Sequence, residues 1–158
     1  MKWRAIFSDI RFWICIGFAL RLITIDAPIF DCHNWRQADG YAVARNFLEE
    51  DANIFKRRVD NRGGGTGITP SEFPLINYIT YLFYLVSGVQ WWPGRLINLI
   101  VTSLGIFSFH QIISARWSSR LALYSSVILL FSIWFSFGRK FMPDTFSASI
   151  LLTGIWLQ

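Results

Sequence analysis

Phe73-Pro74-Leu75-Ile76-Asn77-Tyr78-Ile79-Thr80-Tyr81-Leu82-Phe83-Tyr84-Leu85-Val86-Ser87-Gly88-Val89 is the stretch on which the architecture turns. A membrane crossing asks for about 20 apolar residues, in a range of about 17 to 25, and this stretch is just long enough. It carries Asn77, Thr80, Tyr78, Tyr81 and Tyr84, a polar and aromatic load that suits a helix lying in the interface. If it spans, everything after it changes sides. If it lies flat, the segment before it and the residues after it belong to one face of a membrane.

That lipid is the solvent follows from composition. Of the 158 residues, 53% are hydrophobic and 18% aromatic, and the mean hydropathy is +0.38; a soluble domain is nearer about 45–50% apolar even with glycine counted. Working outward, further apolar stretches run Phe12 to Ile25, Leu96 to Ile113, Leu121 to Phe137 and from about Phe146. The last reaches Gln158 in mid-run, as expected of the amino-terminal piece of a longer protein. The fold expected is all-α: a polytopic transmembrane helical bundle whose outward-facing first loop contains amphipathic interfacial helices.

Lys2, Arg4 and Arg11 precede the first stretch, no small-residue cleavage pattern follows it, and Arg21 interrupts it. A retained signal anchor is expected, with Arg21 snorkelling outward. The positive-inside rule then puts its amino-terminus in the cytoplasm and the loop of residues 26–72 outside. Cys15 falls inside the helix and Cys32 outside it, which suits neither a disulfide nor a metal pair.

Eight of the ten acidic residues lie in that loop: Asp26, Asp31, Asp39, Glu49, Glu50, Asp51, Asp60 and Glu72. Chemistry is expected there. Only Asp9 and Asp144 fall elsewhere, and Asp144 stands at the mouth of an apolar segment in Gly138-Arg139-Lys140-Phe141-Met142-Pro143-Asp144, a costly place for a charge. Within the loop, Asn34 and Gln37 have capping-box spacing, and Tyr41, Ala44, Phe47 and Leu48 recur at helical spacing. A short amphipathic helix over about Trp35 to Glu50, flat on the membrane surface, is expected. Lys56 to Gly67 is basic and glycine-rich, a mobile loop in expectation. It lacks the lysine and hydroxyl ending of a P-loop.

These residues also carry a family likeness. Phe30-Asp31-Cys32-His33-Asn34-Trp35-Arg36-Gln37-Ala38-Asp39, Ala42-Val43-Ala44-Arg45-Asn46-Phe47, Glu72-Phe73-Pro74-Leu75 and Phe141-Met142-Pro143-Asp144 together resemble the GT-C class of membrane glycosyltransferases. The closer likeness is to the branch of protein O-mannosyltransferases and lipid A aminoarabinose transferases, including bacterial members with a histidine-x-tryptophan-arginine-glutamine motif. It runs over nearly the whole chain on short motifs. The resemblance implies an enzyme that takes a sugar from a polyprenyl-phosphate donor and passes it to a lipid, glycan or protein acceptor at the outer face of a bacterial inner membrane. It implies an acidic catalytic residue in the first outward loop and an acid after the third span on the same side. Residues 73–89 then form an interfacial helix, with spans at about 12–25, 96–113, 121–137 and from 146.

The sequence departs from the family's pattern at one point. Aligned on Ala44-Arg45-Asn46-Phe47, the relatives' Asp-Glu pair is replaced here by Arg36-Gln37, so the base is divided between the flanking Asp39 and Asp31, with Asp39 preferred. Transfer with inversion needs a carboxylate to deprotonate the acceptor hydroxyl and cations to hold the departing phosphate. Arg139, Lys140 and Arg36 are the candidate clamp, with His33, Glu72 and Asp144 completing the binding set. Ordinary alternatives stand beside these: a helix-dipole acid for Asp39 or Glu72, and headgroup anchoring for Arg139 and Lys140. The residues identify no cofactor, a divalent cation at Glu72 staying open, and no metal-site spacing surrounds His33. His110 reads as an interhelical hydrogen-bond partner. The dispersed net charge of +5 suits membrane lipids and does not point to nucleic acid. Other functions consistent with the sequence are a transporter or flippase of lipid-linked saccharides, or a non-catalytic membrane fragment. In a transporter the charges would gather at the membrane midplane, whereas here they crowd into the loop and helix ends.

Overall fold

A computed structural model of the chain describes residues 6–29 and 33–158, with every side chain among them except that of Trp134. Lys2, Arg4, Cys32 and the candidate base Asp31 lie outside these residues. The described chain is helical: α1 Ile10–Leu22, α2 Asn34–Glu49, α3 Leu75–Ser87, α4 Trp92–Arg116, α5 Ser119–Leu130, α6 Ile133–Ser136, a 3-10 turn Phe137–Arg139, and α7 Pro143–Trp156. Of the described residues, those up to Ile25 and from Asn98 make one compact unit, the helical unit, and those between Asp26 and Ile97 make a second, the loop unit.

In the helical unit, side chains set the helix ends. The Asp9 carboxylate accepts the Arg11 amide at 2.9 Å to cap α1, the Ser118 hydroxyl caps α5, and Pro143 opens α7 where its missing N–H costs nothing. Contacts between the helices set their directions. The Arg11 guanidinium lies 5.9 Å from the Phe107 ring centre, while farther along α1 Phe18 shares a surface groove with Ile100; α1 and α4 are antiparallel. Trp13 borders Leu123 and Val127 and Gly17 abuts Leu130, so α5 runs parallel to α1. Asn98 donates to the Thr145 hydroxyl at 3.0 Å and Ser108 to that of Thr153 at 3.2 Å, so α7 runs parallel to α4. The helices α1, α4, α5 and α7 thus alternate up, down, up, down.

Small residues bring α4 and α7 together. A Cβ on Gly105 would stand 2.6 Å from the Ser149 Cβ, the close backbone approach that glycine and serine permit between apolar helices. The core beside them is Ile10, Ile106, Leu130 and Phe135.

Two expectations are corrected in this unit. The stretch 121–137 is not one helix: α5 ends at Leu130, because Ser132 turns its hydroxyl to the Leu129 carbonyl at 2.7 Å and accepts the Phe135 amide, ending one helix and starting the next. Arg21 does not snorkel outward. It is half-buried, donating to the Gly17 carbonyl at 3.0 Å and to the Leu130 carbonyl at 2.5 Å, where a cation answers the unsatisfied end of α5. His110, expected to bond across helices, meets its own neighbour Gln111 at 3.2 Å. Among the described residues only α4 is long and apolar enough to cross a membrane; its 25 residues span about 37 Å against a hydrocarbon core of about 30 Å.

The loop unit is built on α2 packed against α3. Val43 and Ala44 are fully buried, the Phe47 ring meets Tyr78 edge-on at 5.4 Å, and the Asn77 amide donates to the Gly40 carbonyl at 2.8 Å. The start of α2 also differs from expectation. His33, in the left-handed region at φ 61°, is the residue before the helix, Asn34 is already helical, and Gln37 is buried instead of closing a capping box. Its amide oxygen receives Arg95 at 3.4 Å. The glycine-rich segment, expected to be mobile, closes on itself. Arg58 and Ile68 pair as an antiparallel bridge, the Val59 amide reaches the Gly67 carbonyl at 3.0 Å, and Gly67 takes φ +74° with no room for a side chain.

Candidate active site

Charge in the loop unit is organised around α2. Arg45 pairs with Asp60 at 2.5 Å and with Glu49 at 3.5 Å. Arg58 reaches Glu50 at 3.5 Å and Asp51 at 3.8 Å, Lys56 reaches Asp51 at 3.6 Å, and Arg62 bonds Glu50. The Arg62 hydrogen bond holds the Glu50 carboxyl below its ordinary value and the guanidinium above its own. Asn46 adds bonds to the Arg58 carbonyl and the Asp60 carboxylate, both at 3.1 Å. The ion pairs do for this irregular segment what a ladder of backbone bonds would do for a sheet.

Glu72 is the hub of a second cluster. Its Oε2 meets Arg36 at 2.9 Å and its Oε1 meets Arg57 at 3.5 Å, and Arg57 also donates to the Ser71 hydroxyl. Arg57 is almost buried, which makes its pairing with Glu72 more consequential than an exposed one. Both oxygens of the carboxylate thus face guanidinium groups, a donor set that does not suit a divalent cation. Among the described residues no three His, Cys, Asp or Glu side chains gather to hold a metal. A pocket of about 240 Å³ lies beside this cluster, with Phe55 and Phe73 on its rim, 82% and 61% exposed.

Asp39 differs from these acids. It is exposed on α2, and among the described residues none bonds to its carboxylate, although Arg36, three residues earlier on the helix, is turned to Glu72. Below it, Tyr41 donates to the Trp91 carbonyl at 2.5 Å with its ring edge-on to the Trp91 ring at 4.9 Å; burial pushes its phenol well above the ordinary range, so it stays a neutral donor.

The remaining candidates are in the helical unit. Arg139 donates to the Thr24 hydroxyl at 2.9 Å. Lys140 is buried, its ammonium 4.9 Å from the Phe137 ring centre. Asp144 is exposed in the first turn of α7, where the helix dipole favours an acid. The turn carrying these three is fixed by Asn98, fully buried, whose amide donates to the Lys140 carbonyl at 2.6 Å. Reasoning on the sequence missed Asn98, Arg57 and Arg95. A polar residue in an apolar run marks Asn98, and nothing in the sequence marks the others among so many arginines.

A family model described as dolichyl-phosphate-mannose-protein mannosyltransferase matches residues 69–158, more than half of the chain and inclusive of Glu72 and Asp144. No curated protein and no solved structure matches.

Proposed function

The chain belongs to the dolichyl-phosphate-mannose-protein mannosyltransferase family, and on that premise we propose that it moves a sugar from a polyprenyl-phosphate carrier to a hydroxyl acceptor at the outer face of the membrane, with Asp39 as the base. Members of the family are integral membrane proteins, and glycosyl transfer from polyprenyl-phosphate-linked sugars is the chemistry that membership carries. The observation that carries the assignment of the base is the pairing pattern of the loop unit. Glu49, Glu50, Asp51, Asp60 and Glu72 each face a cation, while Asp39 and Asp26 are exposed with no such partner among the described residues, and of these two Asp39 lies in the stretch that carries the family likeness. A base must be open to its substrate, and the paired acids are committed to holding the chain.

In the proposed step the Asp39 carboxylate takes the proton of the acceptor hydroxyl. The acceptor oxygen attacks C1 of the sugar, the bond from C1 to the phosphate oxygen breaks, and the lipid phosphate leaves with the electron pair. Arg36 and Glu72 act as positioning residues, tying the Glu72-Phe73-Pro74 turn to the start of α2. The outward face is supported by the alternation of α1, α4, α5 and α7: chain that leaves the helical unit after α1 and re-enters it on α4 does so at one end, which fits α3 as an interfacial helix. Arg116 and Arg120 then join Arg11 on the cytoplasmic side.

The test is transfer from a polyprenyl-phosphate-linked sugar by the membrane-reconstituted chain. Asp39→Asn should lower the rate by about 10²–10⁴-fold, the usual worth of a general base. Full activity in Asp39→Asn with loss in Asp31→Asn would move the base to Asp31. Full activity in both would sink the loop carboxylate as base.

A further inference from the structure

The proposed transfer step leaves one cavity of the loop unit unused. Ile54, Phe55 and Arg57 from one segment and residues 69–74 from another wall a pocket of about 240 Å³. The two segments are tied to each other: the Thr69 amide donates to the Arg57 carbonyl at 3.0 Å, and the Arg57 guanidinium reaches the Ser71 hydroxyl and the Glu72 carboxylate. Pro70 and Pro74, both in the second wall, restrict its backbone further. The pocket is therefore formed in advance of any ligand. Its volume falls below the about 300–1,000 Å³ of a site for a drug-sized molecule, which leaves room for one small ring.

The lining indicates what kind of ring. Phe55 and Phe73 are 82% and 61% exposed, and their ring centres are 6.4 Å apart with the planes at 56°. The two rings do not stack face to face, so aromatic surface stays open beside the pocket. Arg57 has five N–H donors and, among the described residues, two side-chain acceptors, the Ser71 hydroxyl and the Glu72 carboxylate. Each Glu72 oxygen takes one guanidinium and keeps a lone pair. Donor and acceptor thus stand side by side, 3.5 Å apart, as neighbouring hydroxyls that both give and take a proton require. Arg57 and Glu72 are also the charged residues of the lining, and they cancel. An anion would find no net cation there, and a hydrocarbon chain would strip water from the ion pair without replacing it. A pyranose meets every condition: it is neutral, its hydroxyls ring its edge, and the C–H bonds of its face suit the negative face of an aromatic ring.

We propose that this pocket holds one neutral sugar ring of the acceptor, packed on Phe55 and Phe73 with its hydroxyls on Arg57 and Glu72, and that the acceptor is therefore a glycan. The assignment rests on the glycosyltransferase reading and narrows its acceptor to one class. It also places the pocket near the proposed base. Glu72, in the pocket wall, bonds Arg36 at 2.9 Å, and Asp39 follows Arg36 by three residues, neighbours on one face of α2. A glycan anchored at Glu72 brings its adjoining residues toward that turn.

The experiment is saturation-transfer NMR on the full chain in phosphatidylcholine nanodiscs, free of sugar-headed detergent, titrated with mannotriose, cellotriose and chitotriose. At least one of the three should bind, and Phe55→Ala and Phe73→Ala should each weaken it about three- to tenfold, the worth of one aromatic contact. Phe55→Tyr keeps the ring and should bind as wild type does. Thermal unfolding should not change in Phe55→Ala, since so exposed a side chain supports no core. Binding of none of the three sugars, or equal binding in wild type and both alanine variants, overturns the site. Displacement of the sugar by an equal concentration of a neutral peptide of serine, threonine and proline gives the pocket to a protein acceptor and overturns the glycan. In transfer to the sugar that binds, Phe55→Ala should raise KM by the factor lost in binding and leave kcat in place; an unchanged KM overturns the acceptor assignment. Asp39→Asn should bind the sugar normally while failing to transfer to it. If Asp39→Asn transfers normally and the phenylalanine variants still lose binding, the choice of base fails and the pocket stands.

Discussion

The helical unit and the loop unit solve the same problem with opposite means. In the loop unit, residues 51–72 have little regular backbone bonding and are held by guanidinium–carboxylate pairs to α2 and to Glu72. In the helical unit, the contacts that fix direction are a glycine against a serine, an asparagine amide against a threonine hydroxyl, and rings against rings. On the proposed reading, with the helical unit in the membrane and the loop unit at its surface, the solvents explain the difference. A surface loop gains from charge pairs that water tolerates, whereas apolar helices in lipid have no hydrophobic drive toward one another and associate through close packing and short polar bonds. It follows that a charge without an opposite partner is informative by where it lies: Asp39 is exposed on α2 beside ion-paired acids, and Arg21 is half-buried on two carbonyl oxygens.

The sharpest way to break this comparison is to alter one contact of each kind. Gly105→Leu drives a side chain into Ser149 on α7, and overpacking of this sort costs about 3 kcal/mol. Thermal unfolding in detergent should fall accordingly, with no dependence on salt. An unchanged transition would mean that α4 and α7 do not depend on their close approach. Glu72→Gln removes the partner shared by Arg36 and Arg57. With Arg57 nearly buried but Glu72 about a third exposed, the loss is discounted to about 1–2 kcal/mol, visible as faster proteolysis of residues 51–72. That effect should shrink when wild type and variant are compared in high salt, because the wild-type pairs are then screened as well.

Glu50 sharpens the same point at smaller amplitude. Its carboxyl titrates below the ordinary 4.5 because Arg62 bonds the ionised form. A depressed folded value means stability that is present above the unfolded value and lost as pH falls from about 4.5 through the lower folded value. Glu50→Gln should therefore lower the protease resistance of the loop slightly at pH 7, the pair being exposed, and flatten its decline below pH 4.5, where variant and wild type converge. A wild-type profile identical to that of Glu50→Gln across this range would remove the pair from the account.

How much of this was legible beforehand depended on the kind of signal. Long apolar periodicity announced α1 and α4, and the polar and aromatic load of residues 73–89 announced α3 as a helix unlike them. The break after Leu130 was hidden because Ser132 is a small residue in an apolar run, and only its two hydrogen bonds reveal it as a stop. The shift of the α2 start to His33 depends on a left-handed backbone turn that no residue type demands. For the site, the acids of the loop were visible as a set, but which were spent on cations and which were left, Asp39 and Asp26, depended on pairings up to 36 residues apart. The inward turn of Arg21 was likewise invisible: the carbonyl it serves is 109 residues away.

The central claim is that the loop acids and the start of α7 stand on one side of the membrane. In a background with Cys15 and Cys32 replaced by serine, single cysteines at Asp60, Ser118 and Asp144 would be labelled with a membrane-impermeant maleimide on intact cells and again after permeabilisation. The account predicts that Asp60→Cys and Asp144→Cys react from outside and Ser118→Cys only once the membrane is opened. If Asp60→Cys and Ser118→Cys react from outside while Asp144→Cys waits for permeabilisation, α3 crosses the membrane and the account is contradicted.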